Sequence, residues 1–583
     1  MRGNGVVLFT GTAMAEFGNQ KFDYIIVGGG AAGCVVASRL SERSQNKILL
    51  LEAGEDFIPG TEPLEIQDTF AATAHSNPRF TWRQNVTFSP KPSNAPDTRK
   101  KVRYAQGHVI GGGSSVNGMI SIRGLPTDYD GWVERGAKGW GWDDVLPYFK
   151  KQETDTDFGG PLHGKDGPMT IRRVPEERWP GLTKGFMAAA EEEGWRNLKD
   201  KNGVFEDGYF PIAVANEDGR RKSTATAYLT TDVRARPNFN ILGETQVERV
   251  LFSGTRVTGV RVHRRGEIFD IQANEVIASS GALHSPALLL RSGVGPAADL
   301  MESGIDVVAD RAGVGKNLME HPGVNLGCFM KPESRLPPDL RPPMYAGLRW
   351  SSGVKGCPAG DMYFIPMNKS SWHALGERLG ILMIWVNKSY STGEVRLNPA
   401  DPMAEPDVDF NMCSDERDME RLKIGVRRMT KLKDRAPLQD TFTDVFPISY
   451  SDRARRCAVY SPYNKFQMWV GGQLMDSSAI MRRYLIKNLI ADGPTIDELH
   501  ADESVMTEWI QSTVLGHYHA SCSNRMGAPD DPGAVTDPSA RVYGVEGLRV
   551  ADASIMPAVP CANTNFPTIM VGEKVAGTIL AEA

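Results

Sequence analysis

The sequence predicts an α/β domain of the parallel βαβ kind with a second, α+β domain interleaved. Three observations lead there. Near the N-terminus an apolar, β-branched run stops at a cluster of glycines and gives way to a helical pattern. Far downstream a second strand–glycine–helix unit occurs, and two long blocks rich in aromatics and strand-like runs separate the glycine-bearing segments. At 583 residues the chain is too long for one ordinary core, and length as a soft guide suggests several domains with room for a buried site.

Residues 1–20 are set apart as an N-terminal extension. Met1 to Ala15 hold one Arg and a short apolar patch, Val6 to Thr10, which is thin for the apolar region of a signal peptide; Met14 stands just ahead of the first strong strand. Composition then narrows the partners. With 41% hydrophobic and 23% charged residues, and no apolar run of about 18 residues, no membrane span is expected. Lys plus Arg total 66 against 71 for Asp plus Glu, and the charges are scattered, so nucleic acid is not an expected partner. Seven cysteines, odd in number and without CxxC pairs, argue against a disulfide framework or a metal site and fit a reducing, cytoplasmic location.

The first strand is Tyr24-Ile25-Ile26-Val27, and it ends at Gly28-Gly29-Gly30-Ala31-Ala32-Gly33 before a helical stretch from Cys34 to Leu40. Gly28 allows the tight turn, Gly30 lets the backbone approach a pyrophosphate, and Gly33 lets helix and strand pack closely, while the helix N-terminus faces the anion. A second strand, Lys47 to Leu51, ends in Glu52, at the spacing expected of a carboxylate that accepts hydrogen bonds from ribose hydroxyls. This is a Rossmann-like dinucleotide unit. It does not distinguish NAD from FAD, which use the same βαβ physics.

Two later segments carry more information. Gln106 to Trp132 reads QGHVIGGGSSVNGMISIRGLPTDYDGW, glycines and small hydroxyl residues that leave room for a flat ring system against the backbone. Glu275 to Pro296 reads EVIASSGALHSPALLLRSGVGP, a strand, a glycine turn and an apolar helix. With the N-terminal fingerprint, these segments resemble the glucose-methanol-choline family of flavoprotein oxidoreductases. The resemblance continues through VGKNLMEHP (Val314 to Pro322), the run from Ser391 to Asn411 and the closing run from Gly547 to Lys574, and so covers nearly the whole chain.

The resemblance implies an FAD-binding domain of this family's type built from residues 21–147, 239–321 and 513–583. A substrate-binding domain from 148–238 and 322–512 would carry a large antiparallel sheet laid over the flavin. It carries over Gly28, Gly30, Gly33, Glu52, Gly112, Asn117, Val247 and Asp552 as FAD contacts. Members that hold flavin covalently have a His just before the loop Asn; Val116 stands there, which implies noncovalent FAD. The GGGSSVN loop, the WVNK stretch at Trp385 to Lys388 and the HAS run at His519 to Ser521 are similar to members acting on furanic and benzylic primary alcohols. The implied reaction is oxidation to the aldehyde, and on to the acid through the hydrate, with O2 reduced to H2O2. A quinone or carrier protein is the alternative acceptor, and the family also contains a lyase and a photodecarboxylase, so fold alone does not dictate the activity.

Alcohol oxidation needs a base for the hydroxyl proton, the hydride acceptor being the flavin. A neutral imidazole suits this near physiological pH. The resemblance selects His519, upstream of Arg525-Met526-Gly527; His517 would share its side in an extended segment, so spacing alone does not separate them. As the second partner, which orients the substrate oxygen, the resemblance puts Asn565, with Asn563 of the same NTN turn as the competing choice. An amide can donate a hydrogen bond but cannot act as a base. One departure stands out: related sequences have Gly-Thr where this chain has Cys522-Ser523, which puts the local backbone in question and makes Cys522 either a packing cysteine or a redox thiol. Trp385 is read as a pocket wall or a core aromatic, and the stretches Met362 to Met367 and Tyr460 to Val470 as pocket or core lining.

Overall fold

The computed structural model describes residues 16–90, 99–398, 401–449, 456–457, 459, 461–491 and 493–582. The readings made of Val6 to Thr10, Met14 and Tyr460 lie outside them.

The opening unit is β1 (Lys21–Val27), α1 (Ala31–Leu40) and β2 (Ile48–Leu51). β1 has hydrogen-bonded neighbours on both edges, β2 on one and the long strand Glu267–Ala278 on the other, both parallel. That is why its C-terminal half, Ile25 to Val27, is uniformly apolar and buried rather than alternating. Beyond β2 lies Phe239–Leu242, also parallel. On the other side Arg256–Arg264 and Thr245–Ser253 add an antiparallel meander. The strand Leu548–Val550 pairs in parallel with the C-terminal end of Glu267–Ala278, so this mixed sheet gathers segments from three distant parts of the chain. The C-terminal helix Asn565–Glu582 packs on α1, where Gly572 lies so close to Ala32 that a Cβ would stand 3.1 Å from its Cα.

The second sheet is antiparallel throughout, in the order Phe442–Pro447, Pro322–Met330, Leu379–Val386, Met362–Met367, Ala346–Trp350 and Gly208–Pro211, with Leu515–Gly516 added beside the start of Pro322–Met330. The alternation of one strand shows how it divides the molecule. Leu382, Ile384 and Val386 enter the core shared with the helix Glu416–Lys433, while Ile381, Met383 and Trp385 point the other way and line a large cavity. Gly425 lets that helix approach, since a Cβ there would stand 2.7 Å from Ile384 Cγ2. The cavity therefore lies between the parallel part of one sheet and the face of the other. Among the described residues no helix is long and apolar enough to cross a membrane.

Candidate active site

At the foot of the cavity the glycine turn is built as its sequence requires. Gly28 has φ +103°, and a Cβ on it would stand 2.6 Å from the Ser279 carbonyl oxygen; a Cβ on Gly33 would stand 1.9 Å from that of Gly28. Gly112, at φ +52°, approaches Gly30, where a Cβ would meet its Cα at 2.8 Å. The Glu52 carboxylate is buried and accepts hydrogen bonds from the backbone N–H groups of Gly29 and Gly54, each at 2.8 Å. Burial nonetheless holds its carboxyl above the usual range. Asp552 accepts from Gly281 N at 2.8 Å and Ser554 N at 2.8 Å, and from Ser285 Oγ at 2.5 Å. It thereby ties the second glycine turn to the segment that follows the strand Leu548–Val550. Gly28, Gly30, Glu52, Gly112, Asn117, Val247 and Asp552 all line the cavity, of about 1580 Å³; Gly33 sits behind it, between strand and helix. These residues fit a dinucleotide: a cradle in which side chains have been excluded, a helix N-terminus and a buried acid at the end of the second strand.

The catalytic candidates meet at the other end. The strand Pro322–Met330 follows directly on Glu320-His321, and Leu515–Gly516 leads directly into His517-Tyr518-His519. Pairing of Pro322 with Gly516, and of Met319 with Ser521, brings these two segments side by side. The Glu320 carboxylate, buried and pushed up to about 7 by that burial, accepts from His321 N at 2.7 Å, from His519 N at 2.6 Å and from the Tyr104 hydroxyl. Tyr518 takes φ +65°, and the rings of His517 and His519 stay on one side of the turn, with centroids 6.3 Å apart.

Hydrogen bonding fixes the tautomers. His321 Nε2 faces the Pro560 carbonyl at 3.1 Å; a carbonyl only accepts, so this nitrogen carries the proton. Its Nδ1 lies 2.8 Å from His519 Nδ1 and, in a neutral ring, must accept from it. His519 Nε2 is then left with a bare lone pair. The group it meets is the amide nitrogen of Asn563 at 2.9 Å, which has only protons to offer. Burial holds His321 down at about 3, and burial first, then the neighbouring His321 and His517, holds His519 well below its usual value, so both rings are neutral. His517 Nδ1 faces the His321 carbonyl at 3.1 Å, and its ring lies against Trp385 at 4.5 Å.

The amide in contact with His519 is that of Asn563, the competing choice within the NTN turn. Asn565 lines the same cavity but begins the C-terminal helix, whereas Asn563 lies in the turn before it. Trp385 lines the cavity and stacks on Tyr363 at 5.2 Å. Of Met362 to Met367 only Met367 reaches the cavity, and the run 461–470 does not line it but forms an exposed helix. Cys522 takes a left-handed backbone that favours glycine, at φ +74°, with its thiol buried in the main core and pushed up to about 12, a packing cysteine. Sequence reasoning missed His321, Glu320 and Tyr104. The first two lie within the VGKNLMEHP run, but only the strand pairing reveals that they face His519.

The chain is similar to known proteins over nearly its whole length. Residues 22–323 and 389–572 match the N- and C-terminal profiles of a family described as GMC oxidoreductase. The chain is 42% identical to a 5-(hydroxymethyl)furfural oxidase of Methylovorus sp. (strain MP688), over 96% of this chain and 99% of that protein. It is 32% identical to an oxygen-dependent choline dehydrogenase of Sinorhizobium fredii, over 97% and 96%. Among solved structures, pyridoxine 4-oxidase from Mesorbium loti superimposes with a TM-score of 0.78 at 26% identity, over 96% and 99% of the two chains.

Proposed function

Because this chain belongs to the GMC oxidoreductases, FAD-dependent enzymes that act on alcohol groups, we propose that it oxidises furanic and benzylic primary alcohols to aldehydes, and aldehyde hydrates to acids, passing the electrons to O2 to give H2O2. The observation that carries this is the unprotonated Nε2 of a neutral His519, which accepts from the Asn563 amide. A cavity walled by Met344, Met367, Met383 and Trp385 supports a flat, apolar ring as substrate.

The alcohol hydroxyl takes the place of the Asn563 N–H on the one lone pair of His519 Nε2, and the released Asn563 N–H donates to the alcohol oxygen, stabilising charge that develops there as the proton leaves. The proton already on His519 Nδ1 points at His321, so the ring accepts the second proton only at Nε2. Bound FAD would supply the hydride acceptor, held by Gly28, Gly30, Glu52, Gly112, Asn117, Val247 and Asp552 with Gly33 closing the turn. The flavin is noncovalent in this reading, since Val116 offers no nucleophile; acid precipitation should leave the yellow colour in the supernatant, and colour in the pellet would contradict it. The substrate reading is tested by oxygen uptake and peroxide release with hydroxymethylfurfural and benzyl alcohol. Stoichiometric peroxide is the expected result. Turnover only with an added quinone or dye would exclude O2 as acceptor, and no turnover with any acceptor would overturn the substrate class. The resemblance to the choline dehydrogenase gives choline as the comparison substrate, for which little activity is expected because the cavity wall is apolar.

A further inference from the structure

The arm formed by the helices Pro462–Ser477 and Ala479–Leu485 and the turn Ile486–Ile490 is held by one face only. Met475 and Ile486 join Phe329, Leu375 and Phe446 in a small core separate from the two large ones. The rest of the arm presents large apolar side chains outward: Tyr463 is 69% exposed, Phe466 64%, Trp469 52%, Ile480 85%, Tyr484 60% and Leu489 45%. The rings of Phe466 and Trp469 stack in the open, with centroids 6.3 Å apart. Nine of the sixteen large apolar side chains that stand exposed among the described residues fall between Val459 and Leu489. That concentration marks a binding surface rather than ordinary scatter.

Charge decides what covers it. Between Ser461 and Ile490 the sequence carries Lys465, Arg482, Arg483 and Lys487 against one acid, Asp476, which is already engaged by Arg335 and Arg378. Asp444, outside the arm, pairs with Arg482 and Arg483; Lys465 and Lys487 stand exposed, Lys487 within electrostatic reach of Glu498 but in no ion pair with it. A two-fold contact with a second copy would set this basic patch against itself, and a neutral apolar partner would leave the lysines without a role. We propose that the arm docks the enzyme on an anionic lipid surface, its aromatic side chains seated at headgroup depth and its lysines on the lipid phosphates. Val459, at the root of the arm, and Ser449 line the cavity, so docking sets the cavity mouth beside the bilayer, where apolar alcohols concentrate. The docking itself does not depend on which alcohol is oxidised.

The test uses full-length holoenzyme co-sedimented with vesicles of phosphatidylcholine alone and of phosphatidylcholine mixed with phosphatidylglycerol, at low and high salt, with sedimentation velocity run in parallel without lipid. We expect about tenfold more protein on the anionic vesicles, lost at high salt. The pair Phe466→Ser/Trp469→Ser, and separately Lys465→Glu/Lys487→Glu, should abolish that binding while melting temperature and turnover of a soluble alcohol stay unchanged. Failure to bind either vesicle would overturn the proposal, as would binding that both double variants retain. A monomer–dimer equilibrium that Phe466→Ser/Trp469→Ser abolishes would also overturn it, assigning the patch to a second copy.

Discussion

Three imidazoles, His321, His517 and His519, crowd one buried corner with Glu320 and Tyr104, and burial settles their protonation. His517 is held down at about 4, His321 at about 3, and His519 well below the ordinary value. A base depressed in this way stays competent in mild acid: kcat/KM should stay level as pH falls through 6.5, declining only in more acid solution. A half-loss at or above pH 6.5 would contradict the assignment. The sign for stability follows from the same shifts. Below pH 6.5 the unfolded chain binds protons that the folded rings refuse, so the contribution of these three rings to stability falls as pH drops from 6.5 towards 3, while the raised carboxyl of Glu320 works in the opposite direction. Cys522 shows a different residue-scale cost, since a non-glycine residue at φ +74° gives up about 1–2 kcal/mol, which its burial in the core helps to offset.

At the scale of elements, the opening βαβ unit was legible because its constraints are local: glycine at turn positions, an acid at the end of the second strand. Gly33→Ala tests it, since the added methyl would stand 1.9 Å from a backbone oxygen. The variant should purify largely free of FAD though folded by circular dichroism, and normal flavin content would refute the close-packing argument. The corner that holds the candidate base was only half legible. The resemblance singled out His519 and the NTN turn, but not His321, 198 residues away in the chain, nor which of two asparagines two positions apart turns towards the ring. Those depend on strand register and on where the last helix begins. Lys201 was not anticipated either. Its amine is buried without a hydrogen-bond partner between the rings of Phe210 and Tyr363, and burial pushes its pKa well down. Lys201→Met, similar in length, should raise stability by about 1–3 kcal/mol at pH 7. Because the unfolded lysine still binds a proton there, the gain should shrink as pH approaches 10.5. A lower melting temperature for the variant would mean that the amine has a partner that stabilises it.

For the whole molecule, two sheets face each other across one cavity, one carrying the dinucleotide cradle and the other an apolar wall. The order of the antiparallel strands, which joins Gly208–Pro211 to strands far along the chain, could not be read from periodicity, because pairing over such distances leaves no local trace. The presence of the sheet was implied only by resemblance. What unites the halves is the register that sets His321 against His519, and the central claim is that His519 takes the alcohol proton while FAD takes the hydride. The measurement that tests it most directly is rapid anaerobic mixing of holoenzyme with hydroxymethylfurfural, following the visible flavin band in the native enzyme, His519→Ala and His517→Ala. The band should bleach in the native enzyme and, at equal flavin content, roughly 10²- to 10⁴-fold more slowly in His519→Ala, with a much smaller effect in His517→Ala. Undiminished bleaching in His519→Ala, or a loss confined to His517→Ala, would contradict the account.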